Sequence, residues 1–411
     1  PMYYYTDHQH VFCSHLEGLP FRPLPALPEG SAVTYLFRRP PLQGRDAFAV
    51  SHPRLLTDRE DVTTLTDACP EPPVDGALRA AIAEGRVSAV NLEHPHWQEL
   101  LSPLLPAGKK RVHLLALGDV GSTLLTGLRL LGSDCIGSIG ICDVRPGFAQ
   151  RWAFEMNQIA LPWDYDTMPA VEIVEPSELF HCDVFLFCAS RFVPDTAVKT
   201  GDVRMAQYAL NRELVASYAR QARDARFSGL FCVVSDPVDP LCRAALLESN
   251  RDERGRMDYQ GLTTRQVRGL GLGVMNARAA HYAKQDSRFA AFLTEGRTFG
   301  PHGEGLVVAD SIARYDDALS RELTEKTAHA NLEMRALGFK PYVAPALSSG
   351  ALSLLLLLRG AWHCSSVYLD GIFMGCKNRL TDAGVEIEQL PLPPALLARI
   401  RETAEQLRSI P

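Results

Sequence analysis

Residues 115–123 read LALGDVGST, and this stretch decides the fold. The run RVHLLAL (111–117) leads into it with strand character, and STLLTGLRLLG (122–132) leaves it with leucines at helical spacing. Gly118 and Gly121 stand as the second and third glycines of a G-x-G-x-x-G turn whose first position is Ala116. In such a turn the second glycine lets the backbone approach a pyrophosphate and the third packs helix against strand. Asp119 and Val120 then open a helix whose N–H groups face the phosphate. Alone, the stretch reads equally as a tight structural turn. Asp143 separates the two readings. It closes the next strand-like run, SIGICD (138–143), about 20–25 residues on, where a carboxylate receives the adenosine ribose hydroxyls and repels a 2′-phosphate. Strand, turn, helix, strand and acid together point to NAD, with Arg145 near enough to relax the discrimination against NADP.

Outward from the turn, short apolar runs alternate with amphipathic stretches: DVFLFCAS (183–190), a long helix over about 203–225, then SGLFCVVSD (228–236). Strands alternating with helices predict βαβ units and a parallel sheet. After about residue 260 the texture turns mixed, with an apolar helix near 342–359, a strand pair near 366–376 and a final amphipathic helix over 393–410. The predicted architecture is α/β in three parts. Residues 1–108 form a small N-terminal α+β extension without assignable chemistry, 109–260 a Rossmann-type NAD-binding domain, and 261–411 an α+β catalytic domain.

Composition narrows the function classes. The chain has 411 residues, a formal net charge of −6, and 46% hydrophobic against 22% charged residues, which leaves no footprint for nucleic acid or an anionic membrane surface. The most apolar run, ALSLLLLL (351–358), ends at Arg359, short of the roughly 20 residues of a membrane span, and reads as a buried core helix. Ten cysteines without CxxC pairs, several inside strand-like runs, read as free buried thiols in a reducing cytoplasm rather than disulfides or a metal site.

The order of further motifs carries a resemblance. ALGDVG, Asp143, the strand end CAS (188–190), KTGDVR (199–204), VVSDPVD (233–239), MNAR (275–278), GPHGEG (300–305) and VEIEQLPLP (385–393) follow one another as in the lactate/malate dehydrogenase family, which residues 110–411 resemble. The resemblance implies NAD as cofactor, lined also by Ala189, a small 2-oxo or 2-hydroxy acid as substrate, and a homodimer or homotetramer. It implies Arg278 as the fork on the substrate carboxylate and Arg204 as the mobile-loop arginine that polarises the carbonyl. His302 becomes the proton carrier, where a lone histidine between glycines otherwise reads as structural. The loop RFVPDTAVKTGDVR (191–204) is longer than usual. Its specificity position falls near Val198, which disfavours a second substrate carboxylate and hence malate.

Two positions depart from the family pattern. Met275 stands where an aspartate orients the histidine, and Asp236 where an asparagine donates to the substrate oxygen. A carboxylate cannot donate unless protonated. One reading is that the site moved its carboxylate from 275 to 236 and kept one negative charge within reach of His302. The others are a catalytically impaired NAD- or metabolite-binding protein, and an imine-reducing relative in which Asp236 faces a cationic nitrogen.

Overall fold

The strand Val184–Phe187 is buried at all four residues, with Phe185 and Phe187 on one face and Val184 and Leu186 on the other. A strand apolar on both faces needs a layer on each side. Helices Gly201–Asp224 and Val238–Ser249 cover the phenylalanine face, and Asp119–Leu131 and Ser353–Leu358 cover the other. The computed structural model describes residues 1–191 and 201–411, with residues 201–205 described by backbone alone.

Six strands run parallel in the spatial order Ala170–Ile173, Ile136–Cys142, Lys110–Leu115, Val184–Phe187, Leu230–Val233, Val267–Gly269. In chain order that is third, second, first, fourth, fifth, sixth: the doubly wound Rossmann arrangement, whose ligands sit beyond the carboxyl ends where the order reverses. The register makes that edge level. Leu115 lies beside Cys142 on one side and Phe187 on the other, and Phe187 lies beside Val233. The residues that follow these strands, 116–121, 143–145, 188–190 and 234–236, are thereby gathered at one rim.

Past Val267–Gly269 the sheet continues antiparallel through His363–Leu369, Ile372–Thr381 and Gly384–Ile387. The strand pair expected near 366–376 is present and extends the main sheet. Gly269 permits the junction, since a Cβ there would stand 2.8 Å from the Cβ of Ser366. The run 351–358 lies in the core, with Leu354, Leu355 and Leu357 buried behind a wide π-helical segment, Pro345–Leu352. Among the described residues no helix is long and apolar enough to cross a membrane. All ten cysteines are free.

The N-terminal segment builds a six-stranded mixed sheet (Tyr3–Thr6, Val11–Ser14, Arg22–Leu24, Val33–Phe37, Ala47–Ala49, Val87–Asn91) with the helix Gly76–Ala83. Hydrogen bonds tie it to the rest of the chain. Leu390 N–H donates to Leu65 O (3.0 Å) and Asp67 N–H to Leu390 O (2.9 Å). Asp46 N–H donates to Thr264 Oγ1 (3.0 Å), and the Tyr368 hydroxyl donates to Leu42 O.

Candidate functional site

The glycine turn is built as its sequence requires. A Cβ on Gly121 would stand 2.0 Å from the carbonyl oxygen of Ala116, so no other residue fits there without moving backbone. Ala116 holds a left-handed φ of 79°, which is the conformation that favours glycine at the motif's first position. Gly118 caps the helix Asp119–Leu131, and a Cβ there would meet nothing within 4 Å. The open side of the turn faces a cleft of about 630 Å³, lined also by Asp119, Val120 and Ala189. The first N–H groups of a helix lack intrahelical partners, and this helix presents them at the cleft.

Asp143 lies at the same rim with its side chain only 2% exposed. Its carboxylate accepts from Leu117 N–H (2.7 Å), from Arg145 N–H (2.9 Å), and from the Arg145 guanidinium at Nε (3.0 Å) and Nη2 (2.8 Å). Burial alone would raise its pKa, but the Arg145 side chain and the two backbone donors hold it below the usual range. Arg145 is stacked 3.7 Å from the centroid of the Phe148 ring. This arginine therefore covers the acid that would read the ribose. Arg145→Ala is expected to sharpen a preference for NADH over NADPH, and Asp143→Ala to reduce it. Fluorescence titration of both nucleotides into the three proteins checks this; unchanged ratios would remove both residues from ribose recognition.

At the other end of the cleft, His302 is fixed from two sides. Its Nδ1 lies 3.0 Å from the Gly271 carbonyl oxygen, and its backbone N–H donates to Asp239 Oδ2 (3.2 Å). A carbonyl can only accept, so Nδ1 carries the proton, and Nε2 is the ring nitrogen on the side of Asp236. Gly271 allows this approach, because a Cβ there would meet the His302 Cβ at 2.9 Å. Asp236 Oδ1 lies 3.8 Å from Nε2, with its side chain 55% exposed. Its backbone is anchored by Asn211 Nδ2, which donates to Asp236 O (2.9 Å).

A carboxylate thus stands within reach of His302, but beside the cleft-facing nitrogen. The Gly271 carbonyl occupies the Nδ1 side. Met275 is buried, and its sulfur accepts a hydrogen bond from Arg278 Nη1 at 3.8 Å. Among the described residues that is the only hydrogen bond of the Arg278 guanidinium. Burial lowers the Arg278 pKa, opposed by the neighbouring Tyr282 hydroxyl and Asp236 carboxylate. Asp236, Met275, Arg278 and His302 all line the same cleft as the glycine turn and Asp143. Val198 and the Arg204 side chain lie outside the described residues.

Two features of the site escaped the sequence reading. Arg335 and Lys340 also line the cleft, with Lys340 Nζ 3.8 Å from Asp119 Oδ2; no motif or periodicity marked these two residues. The other is Asp239, the last residue of VVSDPVD. It is fully buried, accepts from the Ser366 hydroxyl as well as from His302 N–H, and works as a positioning residue for the histidine loop. Burial pushes its pKa from 3.8 to about 7 against the pull of those donors. The folded state therefore holds the proton more readily than the unfolded chain does. The resulting stability is fully present below 3.8 and lost as the pH rises through about 7. Asp239→Asn cannot ionise. Its melting temperature relative to the unmodified protein is expected to rise with pH across that window; a constant difference would contradict the assignment.

No family model matches the chain. It is 23% identical over 201 residues to an L-lactate dehydrogenase of Mesomycoplasma hyopneumoniae, a match covering 49% of this chain and 58% of the relative. It is 26% identical over 217 residues to a malate dehydrogenase of Sulfurimonas denitrificans, covering 53% and 61%. The chain thus spans about three fifths of the length of the relatives it matches. Among solved structures, a minor L-lactate dehydrogenase from Enterococcus mundtii superposes with a TM-score of 0.59 at 20% identity, covering 73% of this chain and 97% of that one. A malate dehydrogenase from Archaeoglobus fulgidus in complex with NADH gives 0.57 at 18%, covering 72% and 97%. Likeness at that identity shows a shared fold.

Proposed function

From a chain that is a divergent homologue of the lactate and malate dehydrogenases, we propose an NAD-dependent oxidoreductase that interconverts a 2-hydroxy acid and its 2-oxo acid. One observation carries the reading: His302, Arg278 and Asp236 line the same cleft as the dinucleotide turn. The turn at 116–121 and Asp143 fit a dinucleotide, and when bound it supplies or accepts the hydride. Arg278, whose fork is spent among the described residues on one weak sulfur contact, grips the substrate carboxylate. His302 Nε2 takes the hydroxyl proton during oxidation and returns it during reduction, while Gly271 O holds the ring in that tautomer. Asp236, 3.8 Å away, is a negative charge beside the imidazolium that forms.

The cleft-side place of Asp236 also favours a second reading, reduction of an imine. A carboxylate there opposes a carbonyl oxygen and attracts a cationic nitrogen. Asp236→Asn distinguishes the two. If Asp236 serves His302, the variant reduces 2-oxo acids more slowly than the unmodified protein. If it serves a cationic nitrogen, the variant gains 2-oxo acid reduction because the amide can donate to the carbonyl. The substrate class is tested by following NADH loss with a panel of 2-oxo acids, where apolar monocarboxylates are expected to exceed oxaloacetate. Efficient use of oxaloacetate would overturn the specificity drawn from Val198. Tight NADH binding without turnover on any acid would make this a nucleotide-binding protein.

A further inference from the structure

A second cavity, of about 540 Å³, lies where the N-terminal sheet meets the segment before the last helix, and it shares no lining residue with the cleft. Four arginines, 39, 45, 54 and 59, line it together with Glu60 and Gln389. The acids at its wall are already engaged. Glu60 pairs with Arg45 at 2.6 Å, both side chains nearly inaccessible, and accepts from Asp370 N–H at 3.0 Å. Glu71 pairs with Arg79, which lies outside the lining, at 2.6 Å. Asp61 accepts from Thr63 N–H at 2.7 Å.

The remaining arginines are under-used. Arg39 is 9% exposed and donates to the carbonyls of Asp58 and Arg45, yet its Nε is buried without a partner. Arg54 reaches Gln389 Oε1 only at 3.5 Å, and its Nε is likewise buried without a partner. The Arg59 side chain makes no hydrogen bond or ion pair among the described residues. With Glu71 assigned to Arg79, the lining holds two more arginines than carboxylates. Unmatched cations gathered in a partly enclosed space repel one another, and partnerless buried donors add a desolvation cost. An anion in the cavity relieves the repulsion.

We propose that this cavity is a second ligand site, for a small organic phosphate held by Arg54 and Arg59. The dianion of a phosphate monoester matches the excess charge, and guanidinium forks suit its oxygens. Thr57 and Thr64 also line the cavity, and the volume is in the range of small-molecule sites. The site would give the N-terminal segment a binding role independent of hydride transfer.

Calorimetry of inorganic phosphate and phenyl phosphate with the full chain at constant ionic strength tests this. One site per chain that depends on Arg54 and Arg59 is expected, weakened roughly tenfold or more in Arg54→Gln/Arg59→Gln, because both charge-assisted forks are lost. Arg278→Gln, in the cleft, is expected to leave phosphate binding unchanged. Should the double variant fail to fold, Arg59→Gln alone, at an exposed position, must still weaken binding, and phosphate must raise the melting temperature of the unmodified chain. No binding to the unmodified chain, equal binding to the Arg54/Arg59 variant, or loss confined to Arg278→Gln would overturn the proposal.

Discussion

Replacing His302 with glutamine is expected to slow 2-oxo acid reduction by roughly two to four orders of magnitude, the usual share of a positioned acid–base group. NADH affinity should be unchanged, because the residues proposed to face the nucleotide lie on other segments, 116–121 and 143–145. The size of the effect follows from the geometry. Nδ1 is committed to the Gly271 carbonyl, so Nε2 is the one ring nitrogen able to exchange a proton in the cleft. Glutamine can occupy the volume but cannot cycle a proton. Stopped-flow traces of NADH oxidation, with binding measured separately by fluorescence, separate the two quantities. A variant that loses nucleotide binding along with turnover would mean that His302 holds the loop together, and the acid–base assignment would fall.

Arg278→Lys is expected to cost roughly a hundredfold in kcat/KM, mostly through KM, although charge is conserved. A planar fork makes two charge-assisted bonds to a carboxylate and an ammonium makes one point contact, a loss on the order of 1.5–3 kcal/mol. The site amplifies the difference. Arg278 is largely removed from water, which lowers its pKa, and among the described residues its guanidinium otherwise bonds the Met275 sulfur alone. Steady-state kinetics with a monocarboxylic 2-oxo acid check this. Equal KM in the two proteins would show that the carboxylate binds elsewhere.

The glycine turn was legible in sequence because its constraint is local. Gly121 sits where a Cβ would collide with the backbone five residues earlier, and Asp143 stands at a fixed distance along two short elements. What depends on sheet register was harder to read. Placing Asp236 beside His302 requires the strand Leu230–Val233 to end level with its neighbours and the loop near 302 to fold back over Gly271, a contact spanning 31 residues. Sequence could suggest that a carboxylate had moved; it could not say which ring nitrogen the carboxylate would face. Asp239 stayed hidden for the same reason, since a buried acid three residues from an exposed one has no pattern of its own. Arg145 was visible as a neighbour of Asp143, but its grip on both carboxylate oxygens and its stacking on Phe148 belong to the fold.

This cleft is expected to transfer hydride between NAD and a 2-hydroxy acid. The most direct test is to incubate the protein with NADH deuterated at the transferring position and a set of monocarboxylic 2-oxo acids, then analyse the products by mass spectrometry. Deuterium is expected on the hydroxyl-bearing carbon of at least one 2-hydroxy acid, formed far more slowly by His302→Gln. NADH bound in the cleft, with no deuterated hydroxy acid from any 2-oxo acid, would contradict it.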